Sequence, residues 1–196
     1  MKISDVKIYG LEESMVAAGY PMRSEVNDLD EDIINRNYSK SLDKLATCKP
    51  GSGHDNYLKG IVVQFNLTFS LKAWLQAERY NWLDFVSSTS TMHRITKMDI
   101  GSQCNKYVWK NSIAQLEGAV RYYNSIEDKN SEEAKEMFLT IIYNIPSGFE
   151  LTARMTTNYL QLKTIYRQRR QHKLPEWREF CKWIETLPKS KWITGE

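Results

Sequence analysis

Between Asn158 and Lys191 the chain carries nine Lys or Arg against Glu176, Glu179 and Glu185, although its net charge over 196 residues is only +3. A basic excess so localised suits an anionic ligand or surface at that end. At about 100° per residue, a helix opening at Asn158 places Leu162, Ile165 and Arg169 on its side, and Lys163, Arg167 and Arg170 on another. Phosphates are recognised by Arg forks, hydroxyls and backbone amides. Hydroxyls are offered earlier by the run Ser87 to Thr91, followed by Arg94. The plainer reading is a solvated helix face, with cations favoured near the helix C-terminus by its dipole. On spacing alone that reading is the simpler one.

An ordered series of residues surrounds this helix. Pro146 is followed after twelve positions by Asn158, after five more by Lys163, then by Arg169 and by Pro175-Glu176-Trp177. This layout resembles the C-terminal signature of the flavin-dependent thymidylate synthases. In that family a Leu-Pro precedes a strand ending at an Asn, which opens a helix with Arg five and eleven positions later, and Gln-Trp-Glu-Ile-Arg follows. Pro146, Asn158 and Arg169 match, Lys163 stands where the first Arg is usual, and Glu176-Trp177-Arg178-Glu179 approximates the last segment. Upstream, the family has a His before a strand, an Arg-His-Arg start on the next helix and then Asn-Glu-x-Ser-x-Arg-Tyr. His54, Arg79-Tyr80-Asn81 and the run from Ser87 to His93 take those places, and Glu133-Ala134-Lys135 resembles the family's Asp-Ala-Arg. Tyr80 and Asn81 replace His and Arg, and the Asn-Glu pair is missing. Ser90 meets the motif's Ser only with one inserted residue, and Met92 falls at its Arg unless Arg94 takes that place. The layout covers roughly residues 50 to 180.

The resemblance implies a protein that holds FAD, a dUMP-like pyrimidine deoxynucleotide and a methylene-folate, and moves hydride through the flavin to reduce a transferred one-carbon unit. It implies Ser88, Ser90, Arg94, Lys163 and Arg169 for the substrate phosphate, and His54, Arg79 and Asn158 for the cofactor. No residue is assigned to a catalytic step or to a metal. A homotetramer with sites shared between subunits is implied as well. Two alternatives stand beside this. One is a catalytically inactive homologue acting as a nucleotide-binding or protein-interaction module. The other is nucleic-acid binding through the basic helix, with Tyr159, Tyr166, Trp177, Trp183 and Trp192 nearby, although these Trp residues fall at helical core spacing.

The elements that must position these residues are legible in part. Ile145-Pro146 stops the preceding helix near Asn144. From Phe149 the residues alternate, with Phe149, Leu151, Ala153 and Met155 on one face and Glu150, Thr152, Arg154 and Thr156 on the other, the period of a half-buried strand. Thr157 and Asn158 are N-cap types at the change of period. Val63, Phe65, Leu67 and Phe69 alternate with polar residues in a second strand, and a helix is expected from about Leu71 to Phe85. A short strand at 2–9, helices at 11–19, 111–126 and from Ser131, and a helix opened by Pro175 complete the reading. The stretch from Arg23 to Lys44, polar and acidic at first with Asn27, Asp28, Asp30, Glu31 and Asp32, leaves room only for a short helix, and Lys49 to Asn56 reads as a loop. The expected class is α+β, with a mostly antiparallel sheet packed with long helices, in one domain spanning 1–196.

Hydrophobic content of 41% and charged content of 26% are those of an ordinary globular chain, long enough to bury a core without disulfides. Cys48, Cys104 and Cys181 are odd in number and unpaired in spacing, which argues against a disulfide framework or a zinc site. No apolar run reaches membrane-spanning length and the first residues lack a signal-peptide core, so a cytoplasmic location and no membrane partner are expected.

Overall fold

The computed structural model describes residues 1–24, 36–49 and 51–195, with the side chains of all of these except 36–39. Asn27 and the acidic residues Asp28, Asp30, Glu31 and Asp32 lie outside the described residues.

The framework is a four-stranded sheet in the order β1-β2-β4-β3, built from β1 (Lys2–Tyr9), β2 (Val62–Ser70), β3 (Asp84–Ser88) and β4 (Glu150–Asn158). Every pairing is antiparallel. β2 and β4 pair along their whole lengths, from Val62 opposite Asn158 to Ser70 opposite Glu150. β1 carries an irregularity between Ser4 and Lys7, where Asp5 adopts a φ of 50°.

Alternation fixes which face of the sheet is buried. Val63, Phe65, Leu67 and Phe69 of β2 are fully buried with Ala153 and Met155 of β4. Two helices, α8 (Tyr159–Arg169) and α9 (Pro175–Ile184), supply the opposing core. Phe65 meets Trp183 at 4.7 Å between ring centroids, and Phe69 meets Trp177 at 5.0 Å. Each such side chain removed from water contributes about 1.5–3 kcal/mol. The other face is a polar lattice. Thr68 and Thr152 hydroxyls bond at 2.7 Å, Gln64 donates to Thr156 at 3.3 Å, and Arg154 donates to the Asp5 carbonyl at 2.7 Å.

The other α-helices among the described residues are α1 (Leu11–Ala17), α2 (Arg36–Ala46), α3 (Leu71–Ala77), α4 (Thr91–Arg94), α5 (Ile100–Gln103), α6 (Lys110–Ser125), α7 (Glu132–Tyr143) and α10 (Lys191–Thr194). Around α6 and α7 a smaller core gathers Ile95, Ile100, Leu116, Val120, Ile141 and Phe149. The caps expected at Ser131 and Asn158 form: Ser131 Oγ accepts from Ala134 N at 3.2 Å, and Asn158 Oδ1 accepts from Gln161 N at 2.9 Å.

Two expectations need correction. The helix from Leu71 does not reach Phe85: it ends at Ala77, and Asp84–Ser88 forms an edge strand against β4. All five residues of β3 are exposed, so no alternation marked it. Within that segment Trp74 is buried while Leu75 and Trp82 lie in the open. In the Arg23 to Lys44 stretch, α2 runs eleven residues, longer than the polar composition implied. It is anchored by the fully buried Leu42 and Ala46.

Candidate functional site

The loop before β2 and the helix after β4 meet because Val62 and Asn158 are register partners. Asn158 closes the strand in extended conformation, with φ −135°, and caps α8, so the change from strand to helix occurs at one residue. Next to it, burial pushes the Tyr159 phenol up to about 12, and its hydroxyl donates to the Pro188 carbonyl at 2.6 Å. The Thr157 hydroxyl on the core side is buried without a hydrogen-bond partner among the described residues.

Lys163 lies one turn into α8 and is 3% exposed. Its ammonium donates to Asp55 Oδ2 at 2.6 Å and to the Ala46 carbonyl. The pair therefore fastens the 51–56 loop and the end of α2 to α8. A buried ammonium is tolerable only when paired in this way. Beside it opens a cavity of about 340 Å³, lined by Gly51, Gly53, Asp55, Lys163, Thr164 and Arg167. Gly51 and Gly53 have φ of 81° and 77°; a side chain beginning at Gly51 would meet open space, and one at Gly53 would meet only Asn56 Nδ2, at 3.7 Å. Main-chain groups can therefore be approached closely there. Arg167 is exposed and has no ion pair or hydrogen bond to another described residue. It belongs to the cation row recognised in the sequence, four residues after Lys163 and hence on the same side of the helix. The resemblance points to its buried neighbour Lys163, while Arg167 is the one of the two left exposed.

Arg169 is 4% exposed. Its Nε donates to the Tyr80 hydroxyl at 2.7 Å, Nη1 donates to Gln76 Oε1 and Nη2 to the Gln76 carbonyl, both at 3.2 Å. The guanidinium also lies 4.8 Å from the Trp177 ring centroid and 5.4 Å from that of Tyr80. Tyr80, which stands where the resembled motif has His, is thus the partner that seats Arg169 inside the protein. Arg79, next to it, is exposed, 6.0 Å from the Tyr80 ring centroid.

Ser88, Ser90 and Arg94 form a separate group. Ser88 closes β3 opposite Ala153, and Ser90 precedes α4, which ends at Arg94. Ala153 is five residues from Asn158 along β4, roughly 16 Å at about 3.3 Å per residue. Within one chain the structure brings the His54 loop, Asn158 and Lys163 together, and sets Ser88, Ser90 and Arg94 near the other end of β4. Among the described residues no group of three or more His, Cys, Asp or Glu is placed to hold a metal ion. No helix among them is long and apolar enough to cross a membrane.

No family model and no curated protein matches the sequence. The fold does have solved counterparts. It is similar over 100% of this chain, and 98% of the other, to flavin-dependent thymidylate synthase ThyX from Helicobacter pylori complexed with FAD and dUMP, with a TM-score of 0.72 and 13% identity. A second structure of thymidylate synthase X from the same organism, with FAD and dUMP, gives the same figures. At that identity the likeness establishes a shared fold, α+β with an antiparallel sheet.

Proposed function

From a fold shared along its whole length with a flavin-dependent thymidylate synthase, we propose that this chain binds a dUMP-like pyrimidine deoxynucleotide together with FAD and transfers a one-carbon unit to the nucleotide. The observation that carries this reading is the cavity between the 51–56 loop and α8, which Lys163 helps to line and which is edged by the guanidinium of Arg167, free of any ion pair or hydrogen bond to another described residue.

The donors present fit FAD in chemical type. Its diphosphate needs cations, and its ring edge needs hydrogen-bonding groups. His54 and Arg79 keep exposed side chains with no hydrogen bond to another described residue, and Asn158 retains its amide NH₂ after its oxygen caps α8. In this reading these three hold the cofactor, which supplies the hydride chemistry when bound. Ser88, Ser90 and Arg94 take the substrate phosphate. Lys163 and Arg169 serve it from behind: one fixes the 51–56 loop through Asp55, and the other fixes Tyr80. The separation of the two groups along β4 supports a site completed between copies of the chain, as in an oligomer.

A second reading keeps nucleotide binding without catalysis. It is favoured by the burial of Lys163 and Arg169, which leaves fewer cations to reach a phosphate than the resembled motif offers. Flavin absorbance of the purified protein, followed by titration with FAD and then dUMP, tests both. A yellow protein, or one that takes up FAD saturably and changes its spectrum on adding dUMP, supports the first, and folate-dependent tritium release from labelled dUMP then measures the transfer. A colourless protein that ignores FAD but binds dUMP calorimetrically selects the second. Failure to bind either ligand sinks both.

A further inference from the structure

The turn between α8 and α9 is closed around a single imidazole. α8 ends at Arg169 and α9 opens at Pro175. Between them His172 uses three groups at once. Its N–H donates to the Arg169 carbonyl at 2.9 Å, its Nδ1 accepts from Leu174 N at 3.2 Å, and its carbonyl accepts from Arg178 Nη1 at 2.6 Å. The same Arg178 nitrogen donates to the Lys173 carbonyl at 2.9 Å. Leu174 is the residue from which α9 starts, and its own side chain makes no cap bond. The imidazole thus fixes the entry of the chain into α9. Nδ1 accepts only while it carries no proton, so the ring in this turn is neutral with its proton on Nε2.

The charged groups that act on the ring come from both helices: Arg169 from α8, and Arg178 and Glu176 from α9. Arg170 and Lys173, in the turn itself, are exposed. Burial first, and then the two guanidinium groups, hold the His172 imidazole below its ordinary value against the opposing pull of Glu176. The ring is only half-buried, so solvent protons reach it. A proton on Nδ1 sets two N–H donors against each other and adds a third cation beside Arg169 and Arg178. Immediately beyond lies the first turn of α9. There Glu176 accepts from Ser70 Oγ at 2.7 Å, and the Trp177 ring centroid lies 4.8 Å from the Arg169 guanidinium. The turn therefore bears on the seat of Arg169.

We propose that His172 is a pH-sensitive latch on the α8–α9 turn, closed while the imidazole is neutral and released when Nδ1 takes a proton, so that the start of α9 loosens in mild acid. The sign follows from the depressed value: the unfolded chain holds this proton more tightly than the folded chain does. The latch contributes fully above about pH 6.5, the ordinary value of the group. Its contribution is lost as the pH falls from there towards the folded value. None of this depends on the nucleotide reading.

Nuclear magnetic resonance of the full chain labelled with nitrogen-15 tests this. At about pH 8 the His172 ring should be the Nε2–H tautomer, and it should titrate below about 6.5. The amides of Glu179 and Phe180 in α9 should lose about fivefold in protection from hydrogen exchange between about pH 8 and pH 5, corrected for intrinsic rates, as one hydrogen bond is lost. His172→Asn offers Leu174 N–H an acceptor in an Asx turn and takes no proton, so its protection should stay high throughout. His172→Ala should be poorly protected at both ends of the range. The unaltered chain and the Asn variant decide the question even if the Ala variant does not fold. An Nδ1–H tautomer at about pH 8, protection that does not change across the titration, or the same loss in His172→Asn overturns the proposal.

Discussion

Lys163 illustrates how one residue changes meaning between sequence and structure. In the sequence it is one of three cations along a helix face, open to a phosphate. In the folded chain its neighbour Arg167 keeps that role, while Lys163 closes a buried pair with Asp55, with 4% and 8% of the two side chains exposed. The pair's energetic weight lies in its completeness. Removing Asp55 strands an ammonium in the interior, so Asp55→Ala should cost about 3–5 kcal/mol in unfolding free energy. Combining it with Lys163→Met should recover most of that loss, because a buried ion pair replaced by apolar groups of similar volume is often close to neutral. Urea unfolding of the two variants checks this, and a double variant no more stable than Asp55→Ala alone would contradict it. The pairing was not readable from spacing, because 108 residues separate its members.

At the scale of elements, caps and periodicity were legible where the physics is local. Asn158, Ser131 and the helix opened by Pro175 all stand where their residue types placed them. Ser70 shows what local reading leaves out. It caps α3 as Ser131 caps α7, yet it also holds Glu176 of α9, distant in sequence. Ser131→Ala should therefore cost about 1 kcal/mol, the usual value of a cap. Ser70→Ala should cost roughly 1–3 kcal/mol more, because it also strips a buried carboxylate of its last donor. Thermal unfolding of both variants distinguishes the two, and equal losses would mean that the Glu176 bond contributes nothing. The edge strand β3 was missed for a related reason. Its pairing with β4 is made by backbone groups, and its side chains face the open on both sides, so no binary pattern recorded it.

For the whole molecule, the sheet fixes what one chain can do alone. The His54 loop, Asn158 and Arg167 gather at one end of β4, and Ser88, Ser90 and Arg94 lie towards the other. If copies of the chain share sites, Arg94→Ala and Arg167→Ala should each abolish dUMP binding alone. Their equimolar mixture, co-refolded, should regain roughly a quarter of the sites, the fraction expected from random pairing. Calorimetric stoichiometry measures this, and no recovery in the mixture argues for sites contained within single chains. The sequence by itself determined the α+β class, the β2 and β4 alternation, the main helix starts and the basic character of α8, because each follows from periodicity or capping within a few residues. Only the tertiary structure decided which cations remain free, that Tyr80 receives Arg169, that Glu176 is held by Ser70 and where the candidate residues gather. Burial and pairing depend on groups far apart in the chain, and no local pattern carries them.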